Sequence, residues 1–118
     1  MADTVLAFMI EKKGAVDNLE QILAEGRVEM VQWGGYDFSV STGHSPGTDH
    51  PDVVAAKKKT FETAVKMGVP PRAEVDSADE VKEYLDMGVR HFSVGTDIGI
   101  LYGFWKKEGE GIRRALEG

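Results

Sequence analysis

The sequence contains no cysteine, which excludes disulfides, thiolate metal sites and cysteine nucleophiles. Long apolar runs are missing as well. The N-terminal stretch MADTVLAFMIEKK carries an acid where a signal peptide has basic residues, and its apolar run is too short to cross a membrane. We therefore expect a cytoplasmic protein without a membrane partner.

Basic residues are outnumbered, with 14 Lys and Arg against 20 Asp and Glu and a formal charge of -6. This balance disfavours nonspecific binding to nucleic acid. Neither the dinucleotide-binding pattern G-x-G-x-x-G nor the phosphate-loop pattern G-x-x-x-x-G-K-[ST] occurs, which weakens a nucleotide-binding function. The composition instead fits a globular domain, with 42% apolar and 29% charged residues among 118.

Strand-like and helix-like segments alternate along residues 1–118, which we predict to form one domain. Residues 5–10 (VLAFMI) are a continuous apolar run, typical of a strand buried on both faces, and residues 15–24 have helical spacing. Three further strand-like runs follow, each with a helical segment after it: VEMVQW, VPPRAEV and VRHFSVG. The C-terminal stretch ILYGFWKKEGEGIRRALEG is expected to be a helix broken by its glycines.

The longest internal helical segment, PDVVAAKKKTFETAVKMG, has recognisable ends. Pro51 suits its first turn and Gly68 suits its termination. We expect Val54, Phe61 and Val65 to line its buried face.

Strict alternation of strands and helices implies parallel strands joined by right-handed crossovers, and hence an α/β fold class. Two architectures fit. One is an open, doubly wound sheet, and the other is four β/α units that form half of a (β/α)8 barrel, whose full length is about 250 residues. Both architectures place functional groups at the carboxyl ends of the strands.

Acidic side chains stand at two neighbouring strand exits. Glu11 follows the first strand and Asp37 follows the second, so both are expected at one rim of a parallel sheet. Converging carboxylates repel each other unless a hard divalent cation lies between them, which favours Mg²⁺ or Mn²⁺. Acids at such positions also cap helices and meet the helix dipole, so the pattern alone leaves both interpretations open.

The stretch WGGYDFS surrounds the second acid. Gly34 and Gly35 allow the backbone to approach a ligand closely, and they can orient the amides of Tyr36 and Asp37 toward a carboxylate or phosphate. The alternative is a tight turn that requires positive φ.

The three histidines divide between the two rims of the predicted sheet. His44 and His50 lie in the polar loop STGHSPGTDH on the predicted active rim, and His91 begins the fourth strand on the opposite rim. Loop histidines are usually solvated, although either one could serve as an acid or base.

Several motifs together carry a family resemblance: MIEKKGAVDNLEQIL, MVQWGGYDFSVSTG, HPDVVAA, GVPPRAEV and GVRHFSVGTDIGILYGFWKK. In this order they resemble the C-terminal half of the HpcH/HpaI aldolases, the class II pyruvate aldolases of the phosphoenolpyruvate/pyruvate barrel superfamily. The resemblance covers nearly the whole chain. It implies that the four units correspond to strands five to eight of a TIM barrel.

The resemblance also implies a site and a reaction. Glu11 and Asp37 match the family's ligands for a divalent metal (Mg²⁺, Mn²⁺ or Co²⁺). The amides of Tyr36 and Asp37, next to Gly34 and Gly35, match those that hold the pyruvate carboxylate. The implied enzyme is a carbon–carbon lyase that cleaves or forms 4-hydroxy-2-oxo acids through a metal-stabilised enolate.

Some features of the family are missing from this sequence. Met9 stands where the family has glutamine, and Gly35 stands where many members have proline. The family's catalytic histidine and arginine come from early strands, and this sequence begins after them, so its catalytic residues are unknown. A non-catalytic half-barrel module for binding or assembly is therefore the alternative to an enzyme.

A half barrel would leave two sheet edges and its inner surface uncovered. Two copies could pair, a separate N-terminal half could dock, or the chain could relax into an open sheet. In the family the last helix is exchanged between subunits, which implies that residues 102–116 pack on a neighbour. We therefore expect a homo-oligomer.

Overall fold

The computed structural model describes residues 3–47 and 49–118. Thr48, in the predicted polar loop, and residues 1–2 lie outside the described residues. Within the described part, four strands form one sheet in the order β1-β2-β3-β4. The strands are β1 Ala7–Ile10, β2 Met30–Trp33, β3 Pro71–Val75 and β4 His91–Val94.

Every strand pair is parallel, and Met9, Gln32, Arg72 and His91 lie side by side in the register. The α/β class with parallel strands is therefore confirmed. A doubly wound sheet reverses its strand order at a switch point, whereas these strands neighbour each other in chain order, as they do along the arc of a barrel. The helices are α1 Lys13–Asp17, α2 Leu19–Ala24, α3 Gly35–Ser41, α4 Pro51–Lys66, α5 Val81–Asp86 and α6 Asp97–Glu117.

The core lies between the sheet and the helices on one of its faces. Val31 of β2 is fully buried there, together with Leu19, Val53, Phe61 and Ala64 from the helices, all at most 1% exposed. Because side chains alternate along a strand, the other face carries residues such as Gln32 and Arg72. That face corresponds to the interior of a closed barrel.

The prediction that the first strand is buried on both faces is wrong. In β1 only Ile10 is buried, while Phe8 and Met9 are 40% and 48% exposed. β1 lies at the edge of the sheet. Among the described residues, helices cover only one face of the sheet, so this apolar run remains partly in contact with solvent.

The helices differ from the sequence-based expectations in three places. The helix expected over residues 15–24 is divided at Asn18 into α1 and α2. The sequence does not predict α3, because two glycines and a short length give a weak helical signal. In α4, Val54 and Val65 are exposed, and the buried face is formed by Val53, Ala56, Thr60, Phe61 and Ala64.

The C-terminal helix α6 is continuous over 21 residues, although a break at its glycines is expected from the sequence. The Thr96 hydroxyl caps it by accepting a hydrogen bond from the Gly99 amide at 3.2 Å. Each internal glycine costs about 1 kcal/mol relative to alanine, which weakens a helix without requiring a break. No residue of α6 is buried, and its large exposed apolar side chains are Ile98, Ile100, Leu101, Tyr102, Phe104, Trp105, Ile112 and Leu116.

The molecule has a long axis of 62 Å and a radius of gyration of 17.7 Å, and its longest helix, α6, has no buried residue. A compact chain of this length would have a radius of gyration of about 13–14 Å. None of the helices in the described part is both long enough and apolar enough to cross a membrane.

Candidate active site

The first acid lies against the start of the second β/α unit. Gly34 donates its amide proton to the carbonyl of Ile10 at 3.0 Å, and Glu11 follows Ile10 directly. A Cβ atom placed on Gly34 would lie 2.9 Å from Cβ of Glu11 and 3.1 Å from Sδ of Met9. Lack of space, and not an unusual backbone angle, therefore requires glycine at position 34, whose φ is -107°.

The second acid, Asp37, lies in the first turn of α3. The first bond within this helix is donated by the Phe38 amide to the Gly34 carbonyl at 2.9 Å. The amides of Gly35, Tyr36 and Asp37 precede it, so they have no carbonyl partner within the helix. Their N–H groups form the positive end of the helix dipole. Neither glycine has positive φ, so the tight-turn interpretation of WGGYDFS is wrong.

Packing and a hydrogen bond fix the orientation of α3 relative to the strand ends. The buried ring of Phe38 packs on Trp33 of β2, with ring centroids 5.0 Å apart. At the end of α3, the Ser41 hydroxyl donates to the carbonyl of Glu11 at 3.3 Å. The two acids are thus held at neighbouring strand exits. Glu11 lies beside Gly34, and Asp37 follows Gly34 by three residues in the first turn of α3. Their role as a metal pair stays a prediction.

A chain of polar side chains crosses the inner face of the sheet. Arg72 donates through Nη2 to Gln32, and Gln32 donates through Nε2 to Glu74. Gln32 is only 4% exposed, and among the described residues Nε of Arg72 has no hydrogen-bond partner. The alternation of Arg72 and Glu74 with buried Ala73 and Val75 is the sequence signal for this arrangement.

A cavity of about 280 Å³ opens at the same rim, and Gly35, Tyr36, Glu74 and Thr96 contribute to its lining. Glu11 and Asp37 do not line it. The cavity extends between the sheet and the helical layer, where Lys57 lies over the ring of Tyr84 at 4.9 Å. The cavity therefore adjoins the start of α3 but does not include the two acids.

The histidines are distributed as the sequence predicts. His91 is the first residue of β4, whereas His44 and His50 lie near the start of α4, with their ring centroids 3.7 Å apart. The structure therefore pairs the two loop histidines with each other, which their separation in sequence does not predict.

Replacing Gly34 with alanine is expected to lower the free energy of unfolding by about 1–3 kcal/mol, because the new methyl group overpacks the contact with Glu11. Urea denaturation followed by circular dichroism measures this loss. Gly14→Ala is the matched control, since a Cβ there meets nothing within 4 Å and alanine favours α1 by up to about 1 kcal/mol. Equal stability of the two variants would contradict the steric argument.

A family model and individual relatives of known name both match this chain. Residues 1–102 match the family model described as HpcH/HpaI aldolase/citrate lyase. A 5-keto-4-deoxy-D-glucarate aldolase of Klebsiella pneumoniae is 30% identical over 105 residues, which cover 89% of this chain and 41% of the relative. The protein of the same name from Escherichia coli O6:H1 is 32% identical over 91 residues, covering 77% and 36%. The chain thus spans less than half the length of these relatives.

Solved structures share the fold. An HpcH/HpaI aldolase from Desulfitobacterium hafniense superposes with a TM-score of 0.84 at 24% identity, covering 92% of this chain and 42% of that one. For the citrate synthase SbnG the TM-score is 0.89 at 21% identity, with 97% and 46% covered. For macrophomate synthase it is 0.82 at 23% identity, with 97% and 40% covered. The four β/α units therefore correspond to half of a (β/α)8 barrel.

Proposed function

The chain belongs to the HpcH/HpaI aldolase/citrate lyase family, and from this membership we propose that it is a divalent-metal-dependent aldolase, or the metal-binding half of one. Its substrates would be 4-hydroxy-2-oxo acids, which are cleaved to or formed from an aldehyde and a small 2-oxo acid such as pyruvate. The observation that carries the proposal is the placement of Glu11 and Asp37 at adjacent strand exits, beside the first amides of α3.

Glu11 and Asp37 would hold the metal. Both offer carboxylate oxygens, the donors that Mg²⁺, Mn²⁺ and Co²⁺ accept in open sites with water and substrate as further ligands. When bound, the cation supplies Lewis acidity, which stabilises negative charge on a 2-oxo acid as its carbon–carbon bond breaks. Asp37 is exposed and Glu11 is half-buried, so water and substrate have access to the ligand atoms.

The start of α3 would hold the substrate carboxylate. The amides of Tyr36 and Asp37 lie ahead of the first bond within the helix, and the positive end of the helix dipole favours an anion there. Gly34 and Gly35 add no side chain that would block this approach. The proposal assigns to these two amides the binding of substrate, and it assigns proton transfer to other groups.

We also propose that the functional form is a homo-oligomer. Three surfaces support this: the edge strand β1, the inner face of the sheet, and the apolar side chains of α6, among them Trp105 at 65% exposed. A second copy could cover them by pairing half barrels or by receiving α6. The same surfaces would serve a non-catalytic assembly module, which is the second candidate function.

Exchange of the pyruvate methyl protons with D₂O tests the enzymatic proposal, because it needs no knowledge of the aldehyde. With Mg²⁺ present, we expect the chain to accelerate this exchange at least about tenfold over Mg²⁺ alone, since charge stabilisation at the keto group acidifies the methyl protons. Proton NMR follows the loss of the methyl signal, and addition of EDTA should abolish the acceleration.

Two other outcomes are informative. Binding of Mg²⁺ and pyruvate without faster exchange would favour the non-catalytic module. Absence of any Mg²⁺ or pyruvate binding would contradict the site assignment itself.

A further inference from the structure

We propose that His44, His50 and Asp52 form a second cation site, selective for Zn²⁺ or a similar late first-row metal ion. His44 follows α3, His50 precedes α4, and Asp52 lies in the first turn of α4. The site shares no residue with the Glu11–Asp37 pair. It is independent of the proposed aldolase function.

The spacing of the ligand atoms fits a tetrahedral ion. One nitrogen or oxygen atom from each of the three side chains lies within 4.8 Å of the others. Nε2 of His44 is 3.4 Å from Oδ2 of Asp52, and Nδ1 of His50 is 3.8 Å from the same oxygen. In a tetrahedral Zn²⁺ site with bonds of about 2.0–2.2 Å, neighbouring ligand atoms are separated by roughly 3.3–3.6 Å.

The local backbone holds these residues near each other. The His44 amide donates to the carbonyl of Ser39 at 2.9 Å, and the Val53 amide donates to the carbonyl of His50 at 2.9 Å. Nδ1 of His50 accepts a hydrogen bond from the Asp52 amide at 3.2 Å. The lone pair of this nitrogen is thus directed at the Asp52 amide, and a metal ion bound there would take the place of that hydrogen bond.

Metal binding requires a small rearrangement of the two rings. They are stacked at 3.7 Å with planes 20° apart, and a cation bound in the plane of both rings requires each to rotate out of the stack. The side chains of His44 and His50 are 24% and 45% exposed, which leaves room for this rotation. Bound metal would then tie the loop after α3 to the first turn of α4.

The surrounding charges permit a cation. Lys13 and Lys59 line the groove shared by His44 and Asp52. Their Nζ atoms lie 2.5 Å and 3.9 Å from carboxylate oxygens of Asp17. The Lys13 ammonium lowers the pKa of Asp17, so this carboxylate stays ionised and offsets the lysines. The positive end of the α4 dipole opposes a cation, but this effect is weak at an exposed position.

The donor set determines which metals are expected. Two imidazoles and one carboxylate suit Zn²⁺, Co²⁺, Ni²⁺ or Cu²⁺, whereas Mg²⁺ prefers oxygen ligands and water. Selective binding of Zn²⁺ in excess Mg²⁺ therefore separates this site from the Glu11–Asp37 pair. A water molecule would complete the tetrahedron.

Titration of the whole chain with Zn²⁺ in millimolar Mg²⁺, by calorimetry, tests the proposal. We expect one Zn²⁺ per chain, with affinity at least about tenfold lower in His44→Asn and His50→Asn. His91→Asn is the matched control because it removes the third histidine from the opposite rim, and it should bind like the unchanged protein. Glu11→Gln should also retain the Zn²⁺ affinity.

NMR of the unchanged chain gives a second measurement that needs no folded variant. Zn²⁺ should shift the imidazole signals of His44 and His50 and leave those of His91 in place. Unchanged affinity in both loop variants, equal loss in His91→Asn, or loss in Glu11→Gln would overturn the assignment. Equal shifts of all three histidines would overturn it as well.

Discussion

Replacing Phe61 with alanine is expected to lower the free energy of unfolding by about 3–5 kcal/mol. Phe61 lies on α4, is 1% exposed, and belongs to the core between the helices and the sheet. Its ring also packs edge-on against Tyr84, with centroids 5.9 Å apart. Alanine would leave a cavity that the neighbouring side chains, held by a hydrogen-bonded sheet, can fill only in part. The total free energy of unfolding of a domain is about 5–15 kcal/mol, so this loss is a large fraction of it.

Urea denaturation monitored by tryptophan fluorescence measures this loss. Phe104→Ala is the matched control, because it removes the same side chain from an exposed position on α6, 60% exposed. At protein concentrations where the chain is a monomer, the control should change stability by no more than about 0.5 kcal/mol. A loss of less than about 1 kcal/mol in Phe61→Ala would contradict the packing described for α4.

The four strands and their parallel direction could be predicted because each apolar run is followed by a segment with helical spacing, whereas this pattern alone left the strand order open between the two architectures. The strand VPPRAEV is found as Pro71–Val75, and the predicted helix stop at Gly68 coincides with a residue at φ +74°. These features depend on residues close together in sequence. The resemblance to the family depends on the same local motifs, and it is confirmed by the family model.

The phase of α4 could not be predicted, because apolar side chains occur on more than one side of this helix. Val53 and Val54 are adjacent, and only packing against the sheet selects Val53 for the core. Small residues such as Ala56 and Ala64 complete the buried face, and their size hides their contribution in a sequence pattern. The exposure of β1 likewise depends on what covers the sheet, which no local pattern reports.

The parts of the candidate site that the sequence does not predict depend on strand register. Gln32 and Arg72 are far apart in the chain and become neighbours only because β2 pairs with β3. The contact of Glu11 with Gly34 arises in the same way from the pairing of β1 with β2. The two acids and the two glycines are visible in the sequence. The reason for the glycines is not, because it lies in the steric contact of Gly34 with Glu11 and in the start of α3 and not in a positive φ.

Replacing Glu11 with glutamine is expected to weaken Mg²⁺ binding at least about 100-fold. Substitution of residues that only hydrogen-bond to metal ligands already lowers metal affinity about 10–100-fold, and loss of a charged ligand should cost at least as much. The substitution keeps the size of the side chain and removes one of the two proposed anionic ligands. Calorimetric titration with Mg²⁺ in the presence of pyruvate measures the effect, and the exchange of pyruvate methyl protons should fall to the rate with Mg²⁺ alone.

Asp97→Asn is the control, since Asp97 occupies the first turn of α6 as Asp37 occupies the first turn of α3. It should leave Mg²⁺ binding unchanged, because Asp97 follows β4, and β3 separates β4 from the two strands that carry the predicted pair. Loss of affinity in Asp97→Asn equal to that in Glu11→Gln would show that the effect comes from the total charge of the rim.

Asp37→Asn separates the two roles proposed for Asp37. The variant loses the carboxylate ligand but keeps the backbone amide at the start of α3, so Mg²⁺ binding should fall as in Glu11→Gln. Weak binding of pyruvate without Mg²⁺ should remain, because the helix start still offers the backbone amides of positions 36 and 37 to the carboxylate. If pyruvate binding without metal disappeared in Asp37→Asn, the substrate carboxylate would have to bind at a place other than the start of α3.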